Sequence, residues 1–234
     1  MHDDVLLLVH PWVAPTFVSV VDPDWSTGRI SEKVDRDVEC VVGNRPEWHV
    51  RYEFVGTDVI LGDRVDRILV SCIPNGALSI CDMMGSPRTE VRCTMAPIAS
   101  LLSSQDIGHP DSHGVDGAIA AIGWYGDRVE VSIHQGGSLR FSAFLEDADS
   151  ETGPAQLDRL VSSAVLLKSQ ISRVVLYGHT TGTWDVSRAE VFSHAQIEWL
   201  RPSDIFDATT HMITDDSAFV PVAVGAFNRL LSHV

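Results

Sequence analysis

The side chains that could do chemistry are few and far apart in the chain. His109, Asp111 and His113 place two imidazoles and a carboxylate within five residues, a set that could hold zinc or manganese for a metal-dependent hydrolysis. They sit in Ser-Gln-Asp-Ile-Gly-His-Pro-Asp-Ser-His-Gly, residues 104–114, where turn formers dominate and such a group is usually a solvated connector. Glu146, Asp147, Asp149 and Glu151 bunch four carboxylates that could attract a cation, but the acidity of the whole chain makes a hydrated loop the simpler reading. Ser132 and His134 are the types a nucleophile and its base require. They are read as lying on opposite faces of one strand, which excludes the pair, and His134 and His194 as satisfied core or surface histidines. The chain carries no Gly-x-Ser-x-Gly, no His-Glu-x-x-His and no phosphate-binding loop of the Walker type. Cys40, Cys72, Cys81 and Cys93 show neither Cys-x-x-Cys nor zinc-ligand spacing, so buried free thiols in a reducing cytoplasm are expected.

Composition narrows the partners further. Across 234 residues, 32 Asp and Glu oppose 17 Lys and Arg, for a net charge of −15. Nucleic acid and anionic membranes both require clustered positive charge, so neither is expected as a partner. The acids are 22 Asp and 10 Glu, and the only lysines are Lys33 and Lys168, a bias that suits high salt or an Arg-favouring, GC-rich genome. With 44% hydrophobic residues the chain can build a core without disulfides or a structural metal. The first residues, Met-His-Asp-Asp before Val5–Val9, lack the basic start of a signal peptide, and no apolar run reaches the roughly 18 residues of a membrane span. A soluble cytoplasmic protein is the expectation.

The elements that would position any site follow from periodicity. In the first half, strands are expected at Val5–Val13, Thr16–Val21, Ile30–Val42, Val50–Val55, Val59–Leu61, Arg67–Ile73 and Glu90–Thr94, with helices at Asn75–Met84 and Met95–Ser103. The shift in composition sets a connector at 105–115 between a first, irregular half, 1–104, and a second half, 116–234. In the second half Gly117–Trp124, Arg128–His134 and Ser138–Leu145 form a three-strand meander joined by short turns. Leu157, Leu160, Val161, Ala164, Val165 and Leu167 recur at helical spacing. Then come a strand at Val174–Tyr177, a short helix at Trp184–Ser193, a strand at Ile197–Leu200 and an amphipathic helix at Ala218–Leu231. A meander feeding alternating βα units is the order of a ribonuclease H-like layer, and the first half can be read as a looser version of it. The six tryptophans, Trp12, Trp25, Trp48, Trp124, Trp184 and Trp199, mostly flank turns, and no spacing groups them into a stripe.

Three stretches together carry a family resemblance. They are Ala118–Ile133 with Ser138–Leu145, the strand and loop Val174-Val-Leu-Tyr-Gly-His-Thr-Thr-Gly182, and Phe219-Val-Pro-Val-Ala-Val-Gly-Ala-Phe227. In order and spacing the chain resembles the actin-like superfamily, in particular the PilM and GspL kind of pilus and secretion assembly proteins, and also a Bacteroidota group with a degenerate actin-like fold. The resemblance implies an α/β fold of two ribonuclease H-like layers, the second clearer than the first.

In nucleotide-binding members the first strand of the second layer ends in Asp-x-Gly followed by small residues. Laid on this chain, the Asp position falls on Ala121 and the Gly on Gly123, with Trp124 and Tyr125 where small residues would approach phosphate. Ala121 cannot offer magnesium the carboxylate it favours. Gly178 and Gly182 stand where the family's Gly-rich loop packs against adenosine, though the loop could equally be a helix start capped by Thr181 or Thr183. Ala121, Gly123, Gly178 and Gly182 are thus vestigial cleft positions, with no catalytic residue, metal or cofactor expected. The resemblance implies a non-catalytic cytoplasmic scaffold that recruits a protein partner, such as a short peptide of a membrane-anchored assembly protein. The alternative, a divergent nucleotide-dependent ATPase or small-molecule kinase, would need a nearby carboxylate, and Asp116 and Asp127 are the closest in sequence.

Overall fold

A computed structural model of the chain describes residues 5–9, 11, 13–43, 47–83, 89–93, 98, 117–125, 128–163, 171–178 and 184–200. The chain divides into two compact units, Met1–Ala96 and Pro97–Val234. The connector at 105–115, the helix at Ala218–Leu231 and, save for Ile98, the helix at Met95–Ser103 lie outside the described residues.

In the first unit β1 (Val5–Val9) pairs in parallel with β5 (Thr89–Cys93). The strands β2 (Thr16–Val21), β3 (Trp48–Ile60) and β4 (Asp63–Pro74) form a separate antiparallel sheet in the order β2-β4-β3. The stretch expected as a strand at Ile30–Val42 is instead helix α1 (Thr27–Val42). Its apolar residues Ile30, Val34, Val38 and Val42 recur every four positions, a helical stripe rather than a strand's alternation. Ser26 caps the helix by accepting from the amide of Arg29. Val34 and Val38 are buried against Val21, Ile68, Val70 and Cys72 of the sheet. Beside that contact Ser19 Oγ donates to Asp37 at 2.6 Å, and Lys33 donates to both. Cys72 is buried as expected, but Cys40 is an exposed free thiol on α1, because it falls off the stripe that faces the sheet.

The two strands expected at Val50–Val55 and Val59–Leu61 are one long strand, β3, with a bulge between Phe54 and Gly56. Across it the guanidinium of Arg67, 2% exposed, holds Asp58 Oδ2 through two nitrogens at 2.7 and 3.1 Å. Burial lowers the pKa of Arg67, and the carboxylate supplies the charge that a buried cation requires. The β3–β4 hairpin also outruns its neighbour: β2 pairs with β4 only as far as Asp66, while β3 continues to Asp63. Helix α2 (Asn75–Met83) follows β4 as expected.

The second unit holds β6 (Ala118–Tyr125), β7 (Arg128–Gln135), β8 (Ser138–Leu145), α3 (Gly153–Ser163), β9 (Ile171–Gly178) and β10 (Gln196–Trp199). The sheet order is β10-β9-β6-β7-β8, antiparallel through the meander and parallel on the other side of β6. This is the expected ribonuclease H-like layer. Trp124, Val129, Val131, Ile133 and Val174 pack on one face against Leu157 and Val161 of α3. Tryptophans that the chain spacing left ungrouped meet there: the ring centroid of Trp124 lies 5.5 Å from that of Trp184 and 6.3 Å from that of Trp199.

The short helix expected at Trp184–Ser193 is two single 3₁₀ turns, Val186–Arg188 and Glu190–Phe192, separated by an extended Ala189. The Asp158 carboxylate on α3 accepts from the amides of Glu190 and Val191, and Asp185 accepts from that of Ser187. Side-chain acceptors thereby take amides that a continuous helix would direct to its own carbonyls.

The β3–β4 turn is made by Leu61 and Gly62 with φ of 54° and 96°, the two positive values of a type I′ hairpin. Leu61 is fully exposed at 101%, so it gains nothing from packing to offset its left-handed backbone. Leu61→Asn, which tolerates that conformation, should raise the unfolding free energy by about 1 kcal/mol in a urea titration.

Candidate functional site

The face of the second sheet away from α3 carries Ala121 and Gly123, two of the positions expected to be vestigial, whereas Gly178 pairs with Trp124. Cross-strand register puts Ile119, Ala121 and Gly123 of β6 on one face with His134, Ser132 and Glu130 of β7. Arg173, Val175 and Tyr177 of β9 join them from the other side. Ala121 is fully buried between Ser132 and Val175. Gly123 lies between Glu130 and Tyr177, and a Cβ built there would stand 2.5 Å from the Tyr177 ring and 2.9 Å from the Glu130 side chain. The ring therefore lies directly across the backbone at Gly123. Its hydroxyl donates to Glu130 Oε1 at 2.5 Å, and the Tyr125 hydroxyl donates to the same oxygen at 3.0 Å. Glu130 and Tyr177 are both 0% exposed.

Two expectations at this site need correction. Trp124 does not stand in the way of a phosphate on this face. As the neighbour of Gly123 along a strand it points to the opposite face, where it is 1% exposed in the apolar core. The residue that fills the space is Tyr177, which the sequence reading placed only as the end of a buried strand. Ser132 and His134 are also not on opposite faces, since residues two apart on a strand share a face. Ser132 Oγ lies 3.0 Å from His134 Nε2.

The Ser132–His134 contact still lacks the attributes of a nucleophile and base. Both residues are at most 2% exposed, and among the described residues His134 Nδ1 has no hydrogen-bond partner to orient the ring. Desolvation pushes the His134 pKa down to about 3, so the imidazolium that a general base must become is strongly disfavoured. His134 is thus a core histidine with one nitrogen unsatisfied. Ser142, opposite Ser132 on β8, likewise has a buried hydroxyl with no partner among the described residues.

Gly178 takes φ of 98° and pairs with Trp124, whose carbonyl oxygen would lie 2.2 Å from any Cβ. Only glycine fits both the backbone angle and that approach. Gly182, with Thr181 and Thr183, lies outside the described residues, as do Asp116, Asp127 and the group His109, Asp111 and His113. In the acidic loop Asp149 Oδ1 accepts from the amides of Glu151 and Thr152 and from the Thr152 hydroxyl, contacts that lower its pKa. This carboxylate organises the turn into α3. His194 is exposed, and no cluster of three metal-ligating side chains occurs among the described residues.

Comparison with known proteins follows this geometry. No protein-family model and no curated protein matches the chain. The protein of the PilM–PilN type IV pilus biogenesis complex superposes with a TM-score of 0.63 at 10% identity, over 96% of this chain and 79% of its own. The chain has an actin-like fold. A Bacteroides thetaiotaomicron VPI-5482 protein with an actin-like ATPase fold and unknown function agrees, with a TM-score of 0.55 at 11% identity, over 84% of this chain and 68% of its own. The cytoplasmic domain of EpsL, an inner membrane component of the Vibrio cholerae type II secretion system, covers 96% of this chain and 74% of its own at 9% identity, with a TM-score of only 0.46.

Within this actin-like fold, sequence reasoning found the strand that carries Ala121 and Gly123 but missed Glu130 and Tyr177. Glu130 falls on the polar half of an alternating strand, and that pattern normally marks a solvated face. No local signal marks β7 as buried on both sides.

Gly123→Ala forces a methyl group into the Tyr177 ring and should cost about 1–3 kcal/mol in thermal or urea unfolding. His134 is neutral in the fold but protonates at its ordinary pKa of about 6.5 once unfolded. The unfolded state therefore binds more protons below that pH, and stability falls as pH drops from about 6.5 toward 3. His134→Gln should remove up to about 1.4 kcal/mol per pH unit of that slope, measured by urea unfolding between about pH 5 and 6.5, above the carboxylate range.

Proposed function

We propose that this chain is a non-catalytic actin-like scaffold of the cytoplasm that recruits a protein partner, in the manner of pilus or secretion-system assembly factors. The observation that carries the reading is the loss of phosphate chemistry at β6. The position expected to be acidic is Ala121, walled in by strands, and the ring of Tyr177 covers the backbone at Gly123. A phosphate needs close access to backbone amides and a carboxylate-held metal; here the Tyr177 ring covers the backbone at Gly123 and the Glu130 carboxylate is engaged by two phenols. The fold shared with a protein of the PilM–PilN type IV pilus biogenesis complex supports recruitment of a protein, and a short peptide of a membrane-anchored protein is the partner this reading favours. None of the helices among the described residues is long and apolar enough to cross a membrane.

One feature favours the alternative of a divergent ATPase or small-molecule kinase, namely the Glu130 carboxylate beside Gly123. Two phenols donate to a single oxygen of that group, an arrangement suited to anchoring tyrosines. Isothermal titration of the full chain with Mg-ATP should show no binding tighter than about millimolar, a free energy near −4 kcal/mol. Micromolar binding, or steady ATP hydrolysis abolished by Glu130→Gln, would overturn the scaffold reading in favour of the enzyme.

A further inference from the structure

The first unit contains a notch whose walls come from two features of one sheet. Strand β2 stops at Val21, opposite Asp66, because the chain turns away through Asp22-Pro23-Asp24. The turn is fixed by the Asp24 amide donating to the Asp22 side chain and the Trp25 amide donating to the Asp22 carbonyl. Strand β4 begins three residues earlier, so Asp63, Arg64 and Val65 pair with β3 on one side and, among the described residues, with no strand on the other. Alternate backbone amides and carbonyls along that stretch are left facing outward, an open sheet edge. The space where β2 would have continued is a groove of about 690 Å³ between this edge and the turn that leads into α1.

We infer that this notch binds an extended, basic peptide segment of a partner protein, which adds as a short strand to β4 along Asp63–Val65. The inference rests on the scaffold reading and supplies the groove and the partner chemistry that it lacks. Backbone pairing gives strand addition its affinity, and side-chain pockets give it selectivity. The groove is lined by the carboxylates of Asp22, Asp24 and Asp63 against the single cation Arg64. All four are exposed, on a chain of net charge −15, so an acidic peptide is repelled and a basic one is drawn in. Val20, Val21, Val65 and Trp25 also line it, and the guanidinium of Arg29 lies over the Trp25 ring at 4.5 Å from the centroid.

The test uses the full chain and two fluorescein-labelled hexapeptides, one alternating Arg with Val and one alternating Glu with Val. Fluorescence anisotropy at low salt should show the basic peptide binding at least about tenfold more tightly than the acidic one. Asp24→Lys combined with Asp63→Lys should weaken the basic peptide at least about tenfold, with the melting temperature unchanged because both sites are exposed. Amide exchange at residues 63–65 should slow when the basic peptide is bound, a sign of strand pairing that a purely electrostatic encounter would not give. Equal binding of the two peptides, undiminished binding to the double variant, or unchanged exchange at 63–65 overturns the inference. Each of these leaves the scaffold reading standing, since that reading is decided by the nucleotide titration.

Discussion

The phenol of Tyr177 reaches the carboxylate of Glu130 only because the residue between them, Gly123, has no side chain. That contact spans the three central strands of the second sheet: Tyr177 comes from β9, Gly123 from β6 and Glu130 from β7. Tyr125 adds a second phenol to the same oxygen, and its ring meets that of Tyr177 edge to face at 6.5 Å. A carboxylate with 0% exposure is tolerable in such a place because donors aim at it, and here the donors are themselves held by the sheet. The arrangement also decides what β6 can offer to a ligand, since the backbone at Gly123 lies beneath a ring.

The two faces of this sheet are stabilised by different physics. Toward α3 the sheet is apolar and gains from area: three tryptophans, β-branched strand residues and the helix stripe of Leu157 and Val161 exclude water together. The other face buries Glu130, Ser132 and His134, where every polar atom must find a partner or carry a desolvation cost. Ser132 and His134 satisfy one atom each in their mutual contact, and His134 Nδ1 is left over. The first unit follows the same logic on a smaller scale. Arg67 lies nearly water-free across a bulge and is matched by Asp58, and α1 is fixed to β2 by Ser19, Lys33 and Asp37 beside its apolar stripe.

An actin-like fold without a carboxylate at Ala121 separates architecture from chemistry. Fold and function are distinct properties, and the site has to be argued from its own residues. Here β6 holds its place at the centre of the sheet, and its positions Ala121 and Gly123 are given over to packing against Ser132, Val175 and Tyr177. The notch at the end of β2 arises from a different cause, unequal strand lengths within one sheet.

The amino-acid sequence by itself determined the strand order of the second half, because alternation at Val129, Val131 and Ile133 and the short turns around them are local signals. It held the signal for α1 as well, in the fourfold spacing from Ile30 to Val42, which an expectation of strand overlooked. Only the tertiary structure decided that β7 is buried on both faces, that Trp124 turns away from Gly123 while Tyr177 covers it, and that Trp124, Trp184 and Trp199 gather in one core. The reason is that periodicity reports which residues share a face of one strand, whereas the occupancy of that face is set by residues up to tens of positions away in the chain.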